Sequence, residues 1–345
     1  MISDRRPDLL ESAELNPKEF VVLKTLEPVR PLTLAEMQLA RGRIAGSIVR
    51  TPLVRLDLGP KFPDIRLKLE NLQATNSYKL RGAVNAVAML SEAERKLGVW
   101  TISAGNAGQG VAYAARLAGV PCTVVAIETA PTAKLDRMRA LGAKLVPVPY
   151  EAAWRALGER SYPGVSGTFV HPFDDQNFIA GHSTMGFEIL EDAPDTVAVI
   201  AAIGGGGLIT GVGSALKALK PAIKIWGAEP ETAAPTALSF SMGSPQVFRD
   251  WRASFVDGAG GQSLFPRMWE RLKPVVDGAI VVSLDQTRDA MRMLAEKARV
   301  IAEGAGCLSL AAALTGKAGA GPIVAVVSGG NIDMAKFCDL ISPEH

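Results

Sequence analysis

Lys79 lies in the run NLQATNSYKLRGAVNAVAML, where Ala83, Val84, Val87 and Leu90 recur at helical spacing, so a helix begins at the lysine or just before it. A basic residue is disfavoured there, because the first turn is the positive end of the helix dipole. On an exposed turn it would be an ordinary solvated lysine. Partly buried, its ammonium is destabilised by both dipole and desolvation, and the amine becomes able to form an imine or take a proton. A second unusual run is AAIGGGGLITGVG, residues 201–213, in which a buried strand meets Gly204, Gly205, Gly206 and Gly207 and Leu208 opens a helix. Four glycines cost more backbone entropy than a plain turn needs. Converging N–H groups at a helix start make a cradle for one phosphate monoester. The run lacks the Lys-Ser/Thr ending of a nucleoside-triphosphate loop, and its dinucleotide-type spacing, Gly205–Gly207–Thr210, ends in threonine.

Two further strand ends carry donors. In TISAGNAGQGVAYAARLAG, residues 101–119, Ser103, Gly105, Asn106 and Ala107 offer hydroxyl, amide and backbone N–H groups at a helix start, an arrangement suited to a carboxylate or to a plain capped loop. In PIVAVVSGGNID, residues 322–333, a buried strand delivers Ser328 ahead of two glycines. That hydroxyl is either an N-cap or a partner for a heterocycle nitrogen at the sheet edge where open α/β sheets bind ligands. One cofactor uses all four. Pyridoxal 5′-phosphate needs a lysine for its aldehyde, a cradle for its phosphate, a partner for its ring nitrogen and a donor beside its phenolic oxygen. Lys79, the four glycines, Ser328 and Asn106 supply these in turn.

The elements that must position these residues are legible as an alternation. From about residue 65, β-branched runs (65–70, 99–104, 122–127, 143–148, 167–173, 196–203, 224–229, 279–284 and 322–328) alternate with helical patterns such as 109–117, 133–141, 151–160, 178–190 and 286–300. Gly119 and Gly142 follow two of the helices as C-caps. This is α/β architecture with mainly parallel sheets buried on both faces. Residues 1–30 are expected to be an exposed arm. Residues 31–92 and 175–345 are expected to form a large cofactor-binding domain, and 93–174 a smaller one. The segment 231–265, rich in small and aromatic residues, is expected to be a long excursion walling the substrate pocket.

Composition removes other classes. With 345 residues, 37 Lys+Arg against 35 Asp+Glu and 48% hydrophobic residues, the chain has material for about two domains and no electrostatic footprint for nucleic acid. Cys122, Cys307 and Cys338 are odd in number and far apart, against a disulfide framework or zinc knuckle and in favour of a reducing cytoplasm. The charged N-terminus lacks a signal peptide's apolar core, and the uncharged stretch around the four glycines reads as strand–turn–helix, so no membrane association is expected. Three histidines, one of them terminal, and no G-x-S-x-G elbow make hydrolytic triads and multi-histidine metal sites poor fits.

ENLQATNSYKLRGA, SAGNAGQG, GGGGLITG, GAEP and VSGGN, in that order, resemble the motifs of fold-type II pyridoxal-phosphate enzymes, in the threonine/serine dehydratase (ammonia-lyase) and serine racemase branch, over roughly residues 33–335. The resemblance implies a tryptophan synthase β-like α/β fold, with two open, twisted, mainly parallel sheets flanked by helices, assembled as a homodimer or homotetramer. It implies that Lys79 carries the cofactor and removes the substrate's Cα proton, that Gly204, Gly205, Gly206, Gly207 and Leu208 hold the phosphate, and that Ser77 helps hold phosphate or substrate. Asn106 would meet the phenolic oxygen, while Ser103, Gly105 and Ala107 would receive the substrate carboxylate. Ser328 would face the pyridine nitrogen. A neutral serine does not hold the ring protonated and so leaves β-elimination favoured. The implied reaction converts a β-hydroxy-α-amino acid (threonine, serine or an aryl analogue such as phenylserine) to a 2-oxo acid and ammonia. Cysteine synthase-like β-replacement, racemisation and non-catalytic ligand binding are the alternatives, with a nicotinamide oxidoreductase a weaker one.

Several positions depart from the family pattern. Ala107 stands where histidine is usual, and Ala104 where racemases of this branch carry a second serine, which speaks against racemisation. Glu229 is a weak metal candidate, because Ala234 and Pro235 occupy the place of an aspartate, and no metal is expected. His182 stands where glutamine is common and is expected to be a satisfied structural histidine; Glu303 falls near the cofactor by resemblance. Ala107, Phe173 and the aromatic residues Phe240, Phe248, Trp251 and Phe255 of the excursion also fit a bulkier β-substituent. The chain ends soon after the last motif, so no regulatory domain is expected.

Overall fold

In the computed structural model, which describes residues 28–130 and 132–342, all nine β-branched runs contain strands and a tenth strand precedes them. The arm expected over residues 1–30 lies outside the described residues except for its last three. The strands are β1 (Leu53–Leu56), β2 (Ile65–Leu69), β3 (Val99–Ile102), β4 (Cys122–Ile127), β5 (Lys144–Val148), β6 (Thr168–Phe169), β7 (Ala198–Ala202), β8 (Lys224–Pro230), β9 (Gly278–Val282) and β10 (Ile323–Val327). They form a six-stranded sheet in the order β1-β2-β10-β7-β8-β9 and a four-stranded sheet in the order β5-β4-β3-β6. All pairs are parallel except β1 with β2. β1 is a short edge strand in LVRL, too brief to show a period in the sequence. β6 is shorter than its run, because Pro172 lacks an N–H and the chain turns away at His171.

The helices are α1 (Leu34–Ile44), α2 (Lys79–Ala88), α3 (Glu92–Leu97), α4 (Asn106–Ala118), α5 (Thr132–Ala140), α6 (Tyr150–Glu159), α7 (Gln176–Asp192), α8 (Gly207–Leu219), α9 (Pro235–Met242), α10 (Pro266–Leu272), α11 (Leu284–Met293), α12 (Gly304–Leu314) and α13 (Met334–Ile341). α11, α12 and α13 pack on one face of the large sheet, and α7, α8 and α10 on the other. The small sheet has α4 on one face and α6 on the other. α2 shares the first of these two clusters through Leu80, Ala83, Val84 and Val87, and so sits between the sheets.

Topology gathers the chemistry. The last strand in sequence, β10, is central: Ile323 pairs with Ile65 of β2 on one side and Ala198 of β7 on the other. The three strands are parallel, so the residues leading to Lys79, the glycine run and Ser328 all leave the same carboxyl edge, where open α/β sheets bind ligands.

A buried ion network fixes α2 to this edge. Arg81 donates to both oxygens of Glu70 (2.8 Å each) and to both of Glu188 (2.7 and 2.8 Å), while Lys68 donates to Glu188 and to Thr51 O at 2.6 Å. Two cations face two anions, with the side chains at most 7% exposed. Burial alone would raise the Glu188 carboxyl, but Arg81 and Lys68 outweigh it and hold it low.

Candidate active site

Lys79 is the first residue of α2, and the preceding turn is tied directly to the end of β10. Tyr78 N–H donates to Ser328 O (3.0 Å), and Ser77 bridges Gly329. Lys79 Nζ donates to Pro172 O at 2.6 Å and lies 5.1 Å from the Tyr78 ring centroid and 5.4 Å from that of Phe178. The side chain opens onto a cavity but is enclosed by its walls, and this burial pushes the ammonium down to about 7. The amine expected from sequence is therefore present, with desolvation as the cause.

The cavity is about 470 Å³, within the common range for small-ligand sites. Gly204, Gly205 and Leu208 face it, while Gly206 and Gly207 stand behind. The first N–H groups of α8 have no intrahelical acceptor and remain available to an anion. Gly206 takes φ +86°, which a side chain would strain, and a Cβ on Gly204 would come within 2.6 Å of Gly258 O. A Cβ on Gly205 would overlap the ring of Phe173, itself edge-on to Phe265 and His171. Gly205→Ala is expected to cost about 1–3 kcal/mol by overpacking. If that falls on the cradle, phosphate-bearing ligands bind roughly five- to hundredfold more weakly, as a cofactor titration would read.

Asn106 opens α4 and is held from both ends. Its Nδ2 donates to Glu303 Oε1 (2.6 Å), and its Oδ1 accepts from Asn331 Nδ2 (2.8 Å). Asn331 also donates to Thr75 O (2.8 Å) and accepts from Arg137 (2.7 Å). One of the two hydrogens on Asn106 Nδ2 is thus left for a ligand. Burial pushes the Glu303 carboxyl up to about 7, against the lowering effect of Asn106. Ser103, Gly105 and Ala107 line the same wall; Ser103 Oγ accepts the Gly105 N–H (3.0 Å). Ser328 lines the floor beside Ala305.

Lys79, the front of the glycine run, the Asn106 loop and Ser328 thus share one cavity. Other expectations need correction. Ser77 is fully buried and is not among the residues lining the cavity; its Oγ lies 3.4 Å from Lys79 N–H, a contact that supports the lysine's turn. The carboxylate of Glu229 accepts Thr236 N–H (2.9 Å) and Ala237 N–H (2.8 Å), capping α9. Among the described residues no group of three or more His, Cys, Asp or Glu side chains could hold a metal. His182 is fully buried between Tyr78 and Phe178, and neither ring nitrogen has a partner among the described residues, so it is structural but not satisfied.

None of Phe240, Phe248, Trp251 and Phe255 lines the cavity. Phe240 packs on Trp269, Trp251 donates to Gly260 O, and Phe255 lies against Arg288. From the excursion, Asp257, Gly258, Gly260, Gly261, Ser263 and Phe265 reach it instead. The aromatic wall belongs to Phe173 and Phe265 together with Tyr150 and Trp154 of α6, which sequence reading passed over. Their only signal was two aromatic residues four apart at the start of a helix.

The residues present fit a pyridoxal-phosphate site: a desolvated amine, a glycine cradle that a Cβ would fill, an amide with a spare hydrogen and a serine at the floor. Residues 44–329 match the family described as "Pyridoxal-phosphate dependent enzyme". The chain is 39% identical over 312 residues to the L-threonine ammonia-lyase of Thermotoga maritima, covering 88% of this chain and 76% of that one. It is 37% identical over 330 residues to the catabolic L-threonine dehydratase TdcB of Staphylococcus aureus, covering 93% and 94%. Among solved structures, maize serine racemase superposes with a TM-score of 0.82 at 30% identity, covering 90% of this chain and 97% of that one. A threonine deaminase from T.th. superposes with a TM-score of 0.80 at 36% identity, covering 88% and 99%.

Proposed function

Because this chain belongs to the pyridoxal-phosphate-dependent enzyme family, we propose that it is an ammonia-lyase that dehydrates a β-hydroxy-α-amino acid to a 2-oxo acid and ammonia. The observation that carries this reading is the desolvated Lys79 amine in one cavity with the glycine cradle and the Asn106 loop. The threonine lyases among its relatives support the reaction type.

When bound, pyridoxal phosphate supplies an electron sink that acidifies the Cα–H of its amino-acid partner. The N–H groups from Gly204 to Leu208 would hold its phosphate, Ser328 would face its ring nitrogen, and Asn106 would give its second amide hydrogen to the phenolic oxygen. Ser103 Oγ and the N–H groups at the start of α4 would receive the substrate carboxylate and orient Cα toward Lys79 Nζ. Lys79 Nζ would take the Cα proton, and the ammonium so formed can return it to the departing β-hydroxyl, which leaves as water, restoring the amine. The enamine left behind tautomerises and is hydrolysed, returning one water, so substrate and products balance without an oxidant. Ala104 carries no group able to deliver a proton on that wall, which favours elimination over racemisation. The test is 2-oxo acid and ammonia release in equal amounts from the holoenzyme given threonine and serine; recovery of only the inverted amino acid would replace this reading with racemisation.

A pH dependence follows from Lys79. Its folded pKa is about 7 against 10.5 for a free lysine, so between those values the unfolded chain binds a proton that the folded one does not. Stability of the cofactor-free protein should therefore rise with pH across this window, the penalty being largest below pH 7. The Tm gap between Lys79→Met and wild type is expected to shrink steadily from pH 7 to 10.

A further inference from the structure

Four aromatic rings form a continuous ladder along one side of the cavity. Tyr150 stacks parallel to Trp154 (centroids 6.3 Å apart, 7° between planes). Trp154 meets Phe265 edge-on at 5.7 Å and 85°, and Phe265 meets Phe173 edge-on at 5.4 Å and 75°. The ladder starts at the glycine cradle, where Phe173 lies against Gly205, and climbs to the first turn of α6. Tyr150 and Trp154 are 53% and 40% exposed. Large aromatic residues left uncovered in a concave site are unusual for packing alone and usual for ligand recognition. Ala104, Ala107 and Ala153 also line the cavity and project no bulk into it. A methyl or hydrogen at the substrate's β-carbon would leave these faces uncovered.

Resting on the ammonia-lyase reading, we propose that the substrate class is β-hydroxy-α-amino acids with an aryl β-substituent, and that Trp154 is the residue that selects it. The ring completes the ladder by meeting an exposed face of Trp154. One edge-to-face or offset contact is worth roughly two- to tenfold in affinity, and burying the ring's carbons multiplies this. A roomy pocket does not exclude a smaller substrate; it binds it less well. The signature is therefore a preference for the aryl substrate rather than inactivity with threonine.

The test measures kcat/KM of the holoenzyme for both diastereomers of phenylserine, for threonine and for serine, in wild type and Trp154→Ala. In parallel, calorimetry measures binding of phenylserine and threonine to the Lys79→Ala holoenzyme, with and without Trp154→Ala. Trp154 is 40% exposed and contributes to none of the sheet cores, so its truncation should leave the fold intact, which a near-wild-type Tm checks. Expected are at least a tenfold preference for one phenylserine diastereomer over threonine, and a loss of tenfold or more on phenylserine in Trp154→Ala with threonine changed less than threefold. Preference for threonine or serine, or equal losses on both substrates in Trp154→Ala, overturns the aryl assignment and leaves the ammonia-lyase reading standing. No release from any substrate, with Trp154-dependent binding of phenylserine intact, overturns the reaction and keeps the aryl site. Neither release nor binding overturns both.

Discussion

Replacing Lys79 with alanine should lower 2-oxo acid release by at least about 10³-fold, within what a positioned general base contributes. Among the described residues no other neighbouring amine is free to substitute for it, although Lys134 also lines the cavity. Lys68 is sealed into the ion network beneath β2, and Lys134 is paired with Asp257. Lys79→Arg should be equally inactive, because a guanidinium does not give up its proton and cannot serve as a base. The loss is expected to be chemical rather than structural. The turn before α2 is held by Tyr78 N–H and the Ser77 bridge, neither of which uses the lysine side chain. The cradle belongs to β7 and α8. Lys79→Ala should therefore still bind pyridoxal phosphate, now removable by dialysis. A variant retaining a tenth of the wild-type rate would end the assignment of Lys79 as the base.

That lysine was legible because its local signal conflicts with its setting: a cation at the positive end of a helix. The glycine run, the Asn106 loop and Ser328 were legible for a related reason, each being a strand–turn–helix junction with more donors or glycines than a turn needs. Parallel topology brings the glycine run and Ser328 to one edge of the large sheet, and the Asn106 loop reaches the same cavity from the end of β3 in the small sheet, so local signals sufficed. The aromatic wall was legible only in part: the sequence points to Phe173, and Phe265 closes the excursion, but Tyr150 and Trp154 each alone resemble an ordinary helix face. The excursion does wall the cavity, through Asp257 to Phe265, but not by the aromatic residues that suggested it: composition carries no direction, and Phe240 turns to Trp269. Lys68 and Arg81 were missed as well. In IRLKLE the lysine fits an alternating strand with a solvated face, and only the approach of α7, more than a hundred residues later, converts that face into interior. His182 shows the same limit: its burial could be expected, but not the absence of a partner.

Arg81→Met should be the most destabilising of the variants considered, by about 3–5 kcal/mol, a large share of the roughly 5–15 kcal/mol that holds a protein folded. Its guanidinium supplies four of the short hydrogen bonds to Glu70 and Glu188 and a fifth to Thr184 Oγ1 (3.1 Å). Methionine of similar length fills the space but leaves Glu188 with Lys68 alone and Glu70 buried with no cation. Adding Glu70→Gln should restore part of the stability, since it neutralises the carboxylate left without a cation and keeps the Lys68–Glu188 pair; Glu70→Gln alone should destabilise, so the cycle has a favourable coupling. Acid should also narrow the gap. In wild type the Glu188 carboxyl is held low by Arg81 and Lys68, and that stabilisation fades as pH falls. In Arg81→Met the carboxyl loses its main partner and burial raises it, so stability is instead lost as pH rises. The Tm deficit of Arg81→Met should accordingly be smaller at pH 5 than at pH 8. Because Arg81 lies two residues beyond Lys79 on α2, the same variant should lose activity at temperatures where it remains folded. A Tm within two degrees of wild type would mean that the network does not anchor α2.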